Sequence, residues 1–499
     1  MIKSIVAKWW AKRNYLKTQK WVQNPIETQE KILKQLVQQA KNTSFGKDHR
    51  FDQISDSNTF SQRVPIRDYE GLRPYIDRMV AGDSDVLWPG KPTFFAKTSG
   101  TTSGTKWTPL TKASLPFHIQ AAREALLNYI YQSGSADFIS GKQIFLQGSP
   151  ELTQKNGVSV GRLSGIVAHF VPSYLQKSRL PSWETNCIDD WETKVDAIVE
   201  ETLQEDMRLI SGIPSWVQMY FERLQAKTGK PISEIFPNFS VFVYGGVNFE
   251  PYRAGFEKLM GKKIDSVELF PASEGFIAYQ DQLEDKGLLL LLNHGIYYEF
   301  IEADKFYEEN PVRHTLKTVA LGVNYVLILS TNAGLWGYNL GDTIQFTSLH
   351  PFRIIVSGRI KHFISAFGEH VIGSEVEQAL QTAIKETPET IVINEFTVAP
   401  QISPKAGLPY HEWLIEFDTP PKDMNAFRMR IDESMQQKNI YYYDLIVGKV
   451  LQPLVIQPIA KDGFTKYMKT VGKLGGQNKV PRLSNDRKIA DGLQAYIAR

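Results

Sequence analysis

Hydrophobic and polar positions recur along this chain at two different periods, and the switch between them outlines its elements. Residues 26–41, IETQEKILKQLVQQAK, bring Ile32, Leu33, Leu36, Val37 and Ala40 to one face of a helix. The following NTSFGKDHRF carries the turn residues that end it. PTFFAKTSG (92–100) reads as a short strand entering a loop, and KASLPFHIQAAREALLNYIYQ (112–132) as a helix beyond that loop. KQIFLQG, MRLISGIP, FSVFVYGG and IDSVELFP are short apolar runs of buried-strand character. They alternate with the helical patterns PSWVQMYFERLQAKTG and EPYRAGFEKLMG, an alternation that predicts an α/β sheet. From about residue 287 strands follow one another: GLLLLLNHGIYYEFIEA, TVALGVNYVLILST and TIQFTSLHPFRIIVSG. They predict a β-rich, barrel-like or curled subdomain over about 287–357. Beyond it GSEVEQALQTAIKE and DMNAFRMRIDESMQQKN read as helices, and EFTVAP and HEWLIEFDT as strands. The expected architecture is α/β: a large N-terminal domain (1–358) with the attached β-rich part, a hinge near Gly358, and a small α+β domain (359–499).

Composition narrows the class. Of 499 residues, 42% are apolar and 22% charged, values ordinary for a water-soluble globular chain. Net charge is +3, from 57 basic and 54 acidic residues, which gives no reason to expect a nucleic-acid partner. Cys187 is the single cysteine. It cannot form an internal disulfide, which fits a reducing, cytoplasmic location. Two aspartates follow it in WETNCIDDW, so an inert thiol is expected. The basic start, MIKSIVAKWWAKRNYLK, lacks the apolar core of a signal peptide, and no run reaches transmembrane length. It is expected to be a helix packed on the body, with a helix lying on a membrane or partner surface as the alternative.

Six segments carry candidate chemistry. TSGTTSGTKWT (98–108) sets Thr98, Ser99, Thr101 and Thr102 among glycines, with Lys106 close by. Hydroxyls and backbone N–H groups between a strand and a helix suit phosphate. The spacing of Gly100, Gly104 and Lys106 is not that of a Walker loop, and a Ser/Thr linker fits the segment equally well. YGGVNFEPYRAG ends a strand at Gly245 and Gly246, where a flat ring could approach the backbone, or where the chain merely turns. ELFPASEGF offers Phe270 for stacking and Glu274 for Mg²⁺, against a core ring and a solvated acid. GLWGYNLGDTIQF offers Asp342 as an acceptor for ribose hydroxyls, against a turn aspartate. SGRIKHF carries Arg359 and Lys361 at the domain boundary, and KLGGQNKVPRL carries Lys479 on a glycine-rich loop. The nine histidines show no metal-ligand spacing.

In this order the six segments resemble the ATP site of the adenylate-forming superfamily, which includes acyl-CoA ligases, peptide-synthetase adenylation domains and firefly luciferase. NTSFGKDHRF, the long stretch from VPIRDYEGLRPYIDRMVAGDSDVLWPG to KTSGTTSGT, and GGQNKVPRL resemble more closely the Gretchen Hagen three (auxin-responsive) family of acyl acid amido synthetases. That resemblance runs over nearly the whole chain. It implies that Thr98, Ser99, Thr101 and Thr102 grip the phosphates of ATP, and that Gly245, Gly246 and Val247 flank adenine with Phe270 stacked on it. Ser273 would lie near the α-phosphate, Glu274 would hold Mg²⁺, and Asp342 would bind ribose. Lys361 would approach the nucleotide, and Lys479 the α-phosphate and reacting carboxylate. The implied substrates are a carboxylic acid and an amine, that of an amino acid, joined through acyl-AMP while the small domain swings about its hinge.

The helix after the Ser/Thr loop is the expected wall of the acyl pocket, through Phe117, Ala121, Leu126 and Tyr129. Arg123 would either meet the substrate or stay solvated. Two positions depart from the family pattern: Asn339 stands where Arg often follows Tyr, and Pro271 where Gly is common. Neither is a proposed ligand. Two rival functions share parts of the pattern, a thioester-forming acyl-CoA ligase and a non-catalytic nucleotide-binding protein. Neither the acid, the amine nor the oligomeric state is legible in the sequence.

Overall fold

The computed structural model describes residues 2–498 other than 100–104, 172, 247–248, 250–252, 361–362, 365, 367–368, 370, 448 and 475–478. The chain forms two compact units, residues 1–246 with 264–355, and residues 247–263 with 356–499.

The first unit is built on an eleven-stranded sheet. Its parallel half runs, in spatial order, Arg179–Leu180, Lys142–Phe145, Met207–Ser211, Val241–Gly245 and Asp265–Ala272. The last four are the short apolar runs of the sequence; Arg179–Leu180, only two residues long, was not legible as a strand. Val241 to Tyr244 are all buried, as expected of parallel strands covered on both faces. From Asp265–Ala272 the sheet continues through Gly275–Gln280, Leu288–Leu290, Phe352–Arg359, Tyr338–Leu349, Asn324–Thr331 and Ile296–Glu302. The strands expected as an attached barrel-like subdomain therefore extend the same sheet. The join is Leu288–Leu290, which pairs antiparallel with Gly275–Gln280 on one side and with Phe352–Arg359 on the other.

Helix Pro25–Ala40 buries Leu33, Leu36, Val37 and Ala40, four of the five positions expected to face inward. Gln29 stitches it to the sheet: its amide donates to the Leu292 and Ile296 carbonyls at 2.8 and 2.9 Å and accepts from Tyr298 N–H at 2.9 Å. Each buried polar group of that side chain is thus paired, which burial demands. Helix Ile2–Val22 packs on helix Leu115–Ser133, with Tyr15 stacked 4.0 Å from Tyr131.

A second, four-stranded sheet contains Phe94–Ser99 and Thr105–Leu110. These two pair antiparallel, with Ser99 opposite Thr105. The Ser/Thr/Gly run consequently caps a β-hairpin; it does not join a strand to a helix, and helix Leu115–Ser133 begins only after the second strand. TKWTPL was not legible as a strand because its lysine, threonines and proline hide the alternation.

The second unit has a three-stranded sheet, Val392–Gln401, Tyr410–Thr419 and Val455–Ile459, packed by helices Gly373–Glu386 and Met424–Lys438. Its core includes paired polar groups: His411 Nε2 lies 2.9 Å from Glu369 Oε1, and the Tyr442 hydroxyl donates to Asp432 at 2.6 Å.

Candidate active site

In the first unit, Glu274 and the hairpin that bears the Ser/Thr run are both tied to the residues around the start of strand Tyr338–Leu349. Tyr338 is buried, and its hydroxyl donates to Glu274 Oε1 at 3.4 Å. Burial, followed by the charges of Glu274 and Asp68, pushes its ionisation well above the ordinary range of a phenol. It stays a neutral donor. Asp68 accepts from Gly71 N–H at 3.1 Å and caps helix Tyr69–Ala81. Just before that cap, Arg67 N–H donates to the Gly337 carbonyl at 2.9 Å and the Arg67 carbonyl accepts from Asn339 N–H at 2.7 Å. The hairpin joins the same cluster: Trp107 N–H donates to the Tyr69 hydroxyl at 3.0 Å, and the Lys106 ammonium lies 5.5 Å from the Tyr69 ring centre. Tyr338, Tyr69 and Asp68 had no assigned role in the sequence; the signal was Tyr338 inside Tyr-x-x-Gly-Asp and the DY pair in VPIRDYEG.

Ala272 pairs with Gly275, so Ser273 and Glu274 form a two-residue turn between antiparallel strands. Such a turn holds its side chains at the sheet end. The turn is tightly seated, because a Cβ on Gly275 would lie 2.5 Å from Ile296 Cδ1. Ser273 is buried and Glu274 half-buried. Phe270 is only 7% exposed and belongs to the main hydrophobic core with Ala121 and Phe276.

Asp342 is buried on a bulge. Val326 pairs with Thr343 and Ile328 with Asn339, so three residues, Leu340 to Asp342, face Leu327 alone. Gly341 supplies the positive φ of +88°. Its N–H donates to Asn339 Oδ1 at 2.8 Å. The departure from the family pattern at Asn339 therefore has a structural use: this amide braces the bulge on which Asp342 lies.

The paired glycines have steric reasons of their own. A Cβ on Gly245 would lie 2.5 Å from the Leu269 carbonyl oxygen and 3.3 Å from Pro271 Cδ, and Gly246 has φ +82°. Pro271, the other departure, thus sits against Gly245.

In the second unit, Arg359 and Lys479 are exposed. Thr101, Thr102, Val247 and Lys361 lie outside the described residues, as do the side chains of Thr98 and Ser99. Of the expected acyl-pocket wall, Ala121 and Tyr129 are buried, and Tyr129 donates to Asp265 at 2.8 Å. Arg123 is exposed and stacks 5.4 Å from the Trp10 ring centre, which identifies it as a solvated residue covering the N-terminal helix. Burial, then Glu151, pushes the Cys187 thiol up, in keeping with an unreactive side chain.

The comparisons with known proteins are consistent along the chain. Three family models match: the GH3 family N-terminal domain over residues 16–186, the central domain over 289–359 and the C-terminal domain over 374–488. Indole-3-acetic acid-amido synthetase GH3.15 of Arabidopsis thaliana is 21% identical, with 95% of this chain and 93% of that protein covered. Jasmonoyl-L-amino acid synthetase JAR4 of Nicotiana attenuata is 22% identical over 64% of this chain and 67% of its own length. In structure, AtGH3.15 acyl acid amido synthetase in complex with 2,4-DB matches with a TM-score of 0.79 at 17% identity, covering 98% of this chain and 96% of that one. A 2-hydroxyisobutyryl-CoA ligase in its postadenylation state shares the fold more distantly, with a TM-score of 0.58 at 13% identity over 93% and 91% of the two chains. With all three of its domain models matched in order, the chain belongs to the GH3 family.

Proposed function

We propose that this protein is an ATP-dependent acyl acid amido synthetase that joins a carboxylic acid to the amine of an amino acid. The observation that carries the assignment is the Tyr338–Leu349 strand. It bears Asp342 on its bulge and, through the Tyr338 hydroxyl, holds Glu274 at the neighbouring hairpin tip. Asp342, the proposed ribose acceptor, and Glu274, the proposed phosphate-side carboxylate, thus belong to one sheet, and the hairpin Phe94–Leu110 is joined to Tyr69 through the Trp107 N–H, which supports this reading.

In the first step a substrate carboxylate oxygen attacks the α-phosphorus of ATP. The P–O bond to pyrophosphate breaks and acyl-AMP forms. Carboxylic acids are ionised at neutral pH, so this step needs no base; it needs alignment and charge neutralisation. Asp342 would accept from the ribose hydroxyls, and Gly245 and Gly246 would border the adenine. Phe270 would present to the base only the small part of its ring that the core leaves open. Thr98, Ser99, Thr101 and Thr102 would hold the phosphates, Ser273 would lie beside the α-phosphate, and Lys361 and Lys479 would bring positive charge from the second unit. In the second step the amine nitrogen attacks the acyl carbon, the amine gives up a proton, AMP leaves and an amide remains.

Mg²⁺ is the metal this chemistry implies. Among the described residues no group of three histidine, cysteine or acidic side chains comes together as a cage. Mg²⁺ takes one or two carboxylates and completes its octahedron with phosphate and water, so a single acid beside the phosphates would serve. Glu274, steadied by Tyr338, would hold it, and when bound it would offset phosphate charge. The test is ATP–pyrophosphate exchange across a panel of carboxylic acids. Acid-dependent exchange supports the assignment; ATP binding without exchange for any acid favours the non-catalytic rival.

A further inference from the structure

The helix Ile2–Val22 has apolar residues on two opposite faces. The inward face is small and tight: Ala11, Thr18 and Trp21 are buried as the helix packs on Leu115–Ser133. At 100° per residue, Ile5, Trp9 and Leu16 fall within a narrow stripe on the far side. They are 63%, 61% and 56% exposed. Large apolar side chains exposed together in a stripe call for a partner.

The charges around that stripe say which kind. Lys8 and Lys12 flank it on one side, and Arg13, Lys17 and Lys20 on the other; Lys3 lies further round. All six are exposed, and none forms an ion pair among the described residues. The helix holds no acidic residue. Removing its six cations from the chain's 57 basic residues leaves 51 against 54 acidic ones, so the remainder has a net charge of −3 while the helix alone carries +6. The chain's net positive charge thus resides in the helix that bears the exposed apolar stripe.

We propose that this outward face rests on an anionic lipid bilayer. Trp9, Ile5 and Leu16 enter the headgroup–acyl boundary, and the flanking lysines and arginine meet lipid phosphates, as interfacial helices do. Tryptophan favours that boundary because its ring is apolar and its N–H stays hydrated. A second copy of the chain is a poor occupant, since facing two such helices brings like charges together. Among the described residues no helix is long and apolar enough to cross a membrane, so the attachment is peripheral and salt-sensitive.

The test is co-flotation of the full chain with vesicles of phosphatidylcholine alone and of phosphatidylcholine mixed with phosphatidylglycerol. The protein is expected to float with the anionic vesicles only and to be released by high salt. The triple variant Lys12→Gln, Arg13→Gln, Lys17→Gln is expected to bind on the order of a hundredfold more weakly, given the typical contribution of each surface cation. Trp9→Ala with Leu16→Ala is expected to reduce flotation without altering thermal melting or pyrophosphate exchange. Absence of flotation with anionic vesicles overturns the proposal, as does equal flotation on both lipids. A Trp9-dependent dimer in sedimentation without flotation assigns the face to a second copy and overturns it as well.

Discussion

Gly245 shows how one residue can carry a structural demand and a proposed functional one together. Its hydrogen stands where any larger group would meet the Leu269 carbonyl at 2.5 Å. Gly245→Ala should destabilise the first unit by about 1–3 kcal/mol, the usual cost of overpacking a close contact. Urea unfolding measures it, and an unchanged midpoint would show that the strands part freely. His118 makes a second residue-scale prediction. It is buried on helix Leu115–Ser133, its Nδ1 has no partner among the described residues, and burial lowers its pKa to about 4. An unfolded histidine takes up a proton near 6.5. Between those values the unfolded chain binds more protons than the folded one, so stability is full above pH 6.5 and falls as pH drops to about 4. The loss is at most about 3 kcal/mol. Unfolding midpoints from pH 7 to 4 should fall less steeply in His118→Leu; parallel slopes would remove histidine from the acid sensitivity. Of the proposed site residues, Glu274 and Asp342 stand out in the sequence because short motifs surround them. Tyr338 as the partner of Glu274 was not, because the contact spans 64 positions of sequence. The two fates open to Arg123 could be separated only once Trp10 was seen beneath it.

At the level of elements, apolar runs placed the parallel strands and the helices well, since burial on both faces leaves an uninterrupted signal. Pairing was less legible. The hairpin Phe94–Leu110 reads as strand, loop and helix because Thr105–Leu110 lacks alternation, and the continuous sheet reads as two parts because Leu288–Leu290 joins strands distant in sequence. The bulge at Leu340–Asp342 was likewise invisible, although the residues that build it, Asn339 and Gly341, stand in the motif. It gives a prediction about aim. Asn339→Ala removes the acceptor for Gly341 N–H, at a cost to stability of about 1 kcal/mol. With the bulge loosened, the ATP concentration for half-maximal pyrophosphate exchange should rise about tenfold while the acid requirement stays the same. Unchanged ATP dependence would separate Asp342 from nucleotide binding.

The whole molecule is two compact units, and the second takes residues 247–263 from the middle of the chain, a grouping that linear sequence does not suggest. The proposed chemistry divides between them, with Asp342 and Glu274 on the first and Lys479 on the second. Lys479 is exposed, so Lys479→Ala should change thermal melting little, as substitutions at the surface usually do. If its ammonium meets charge developing at the α-phosphate, adenylation should fall by about a hundredfold or more; unchanged pyrophosphate exchange would contradict that role. The central claim concerns the acceptor. The most direct measurement is mass spectrometry of the product formed from ATP and an activating acid, with amino acids and coenzyme A offered in parallel. Release of AMP with an acyl–amino acid amide is the predicted result; a thioester formed only with coenzyme A would contradict it.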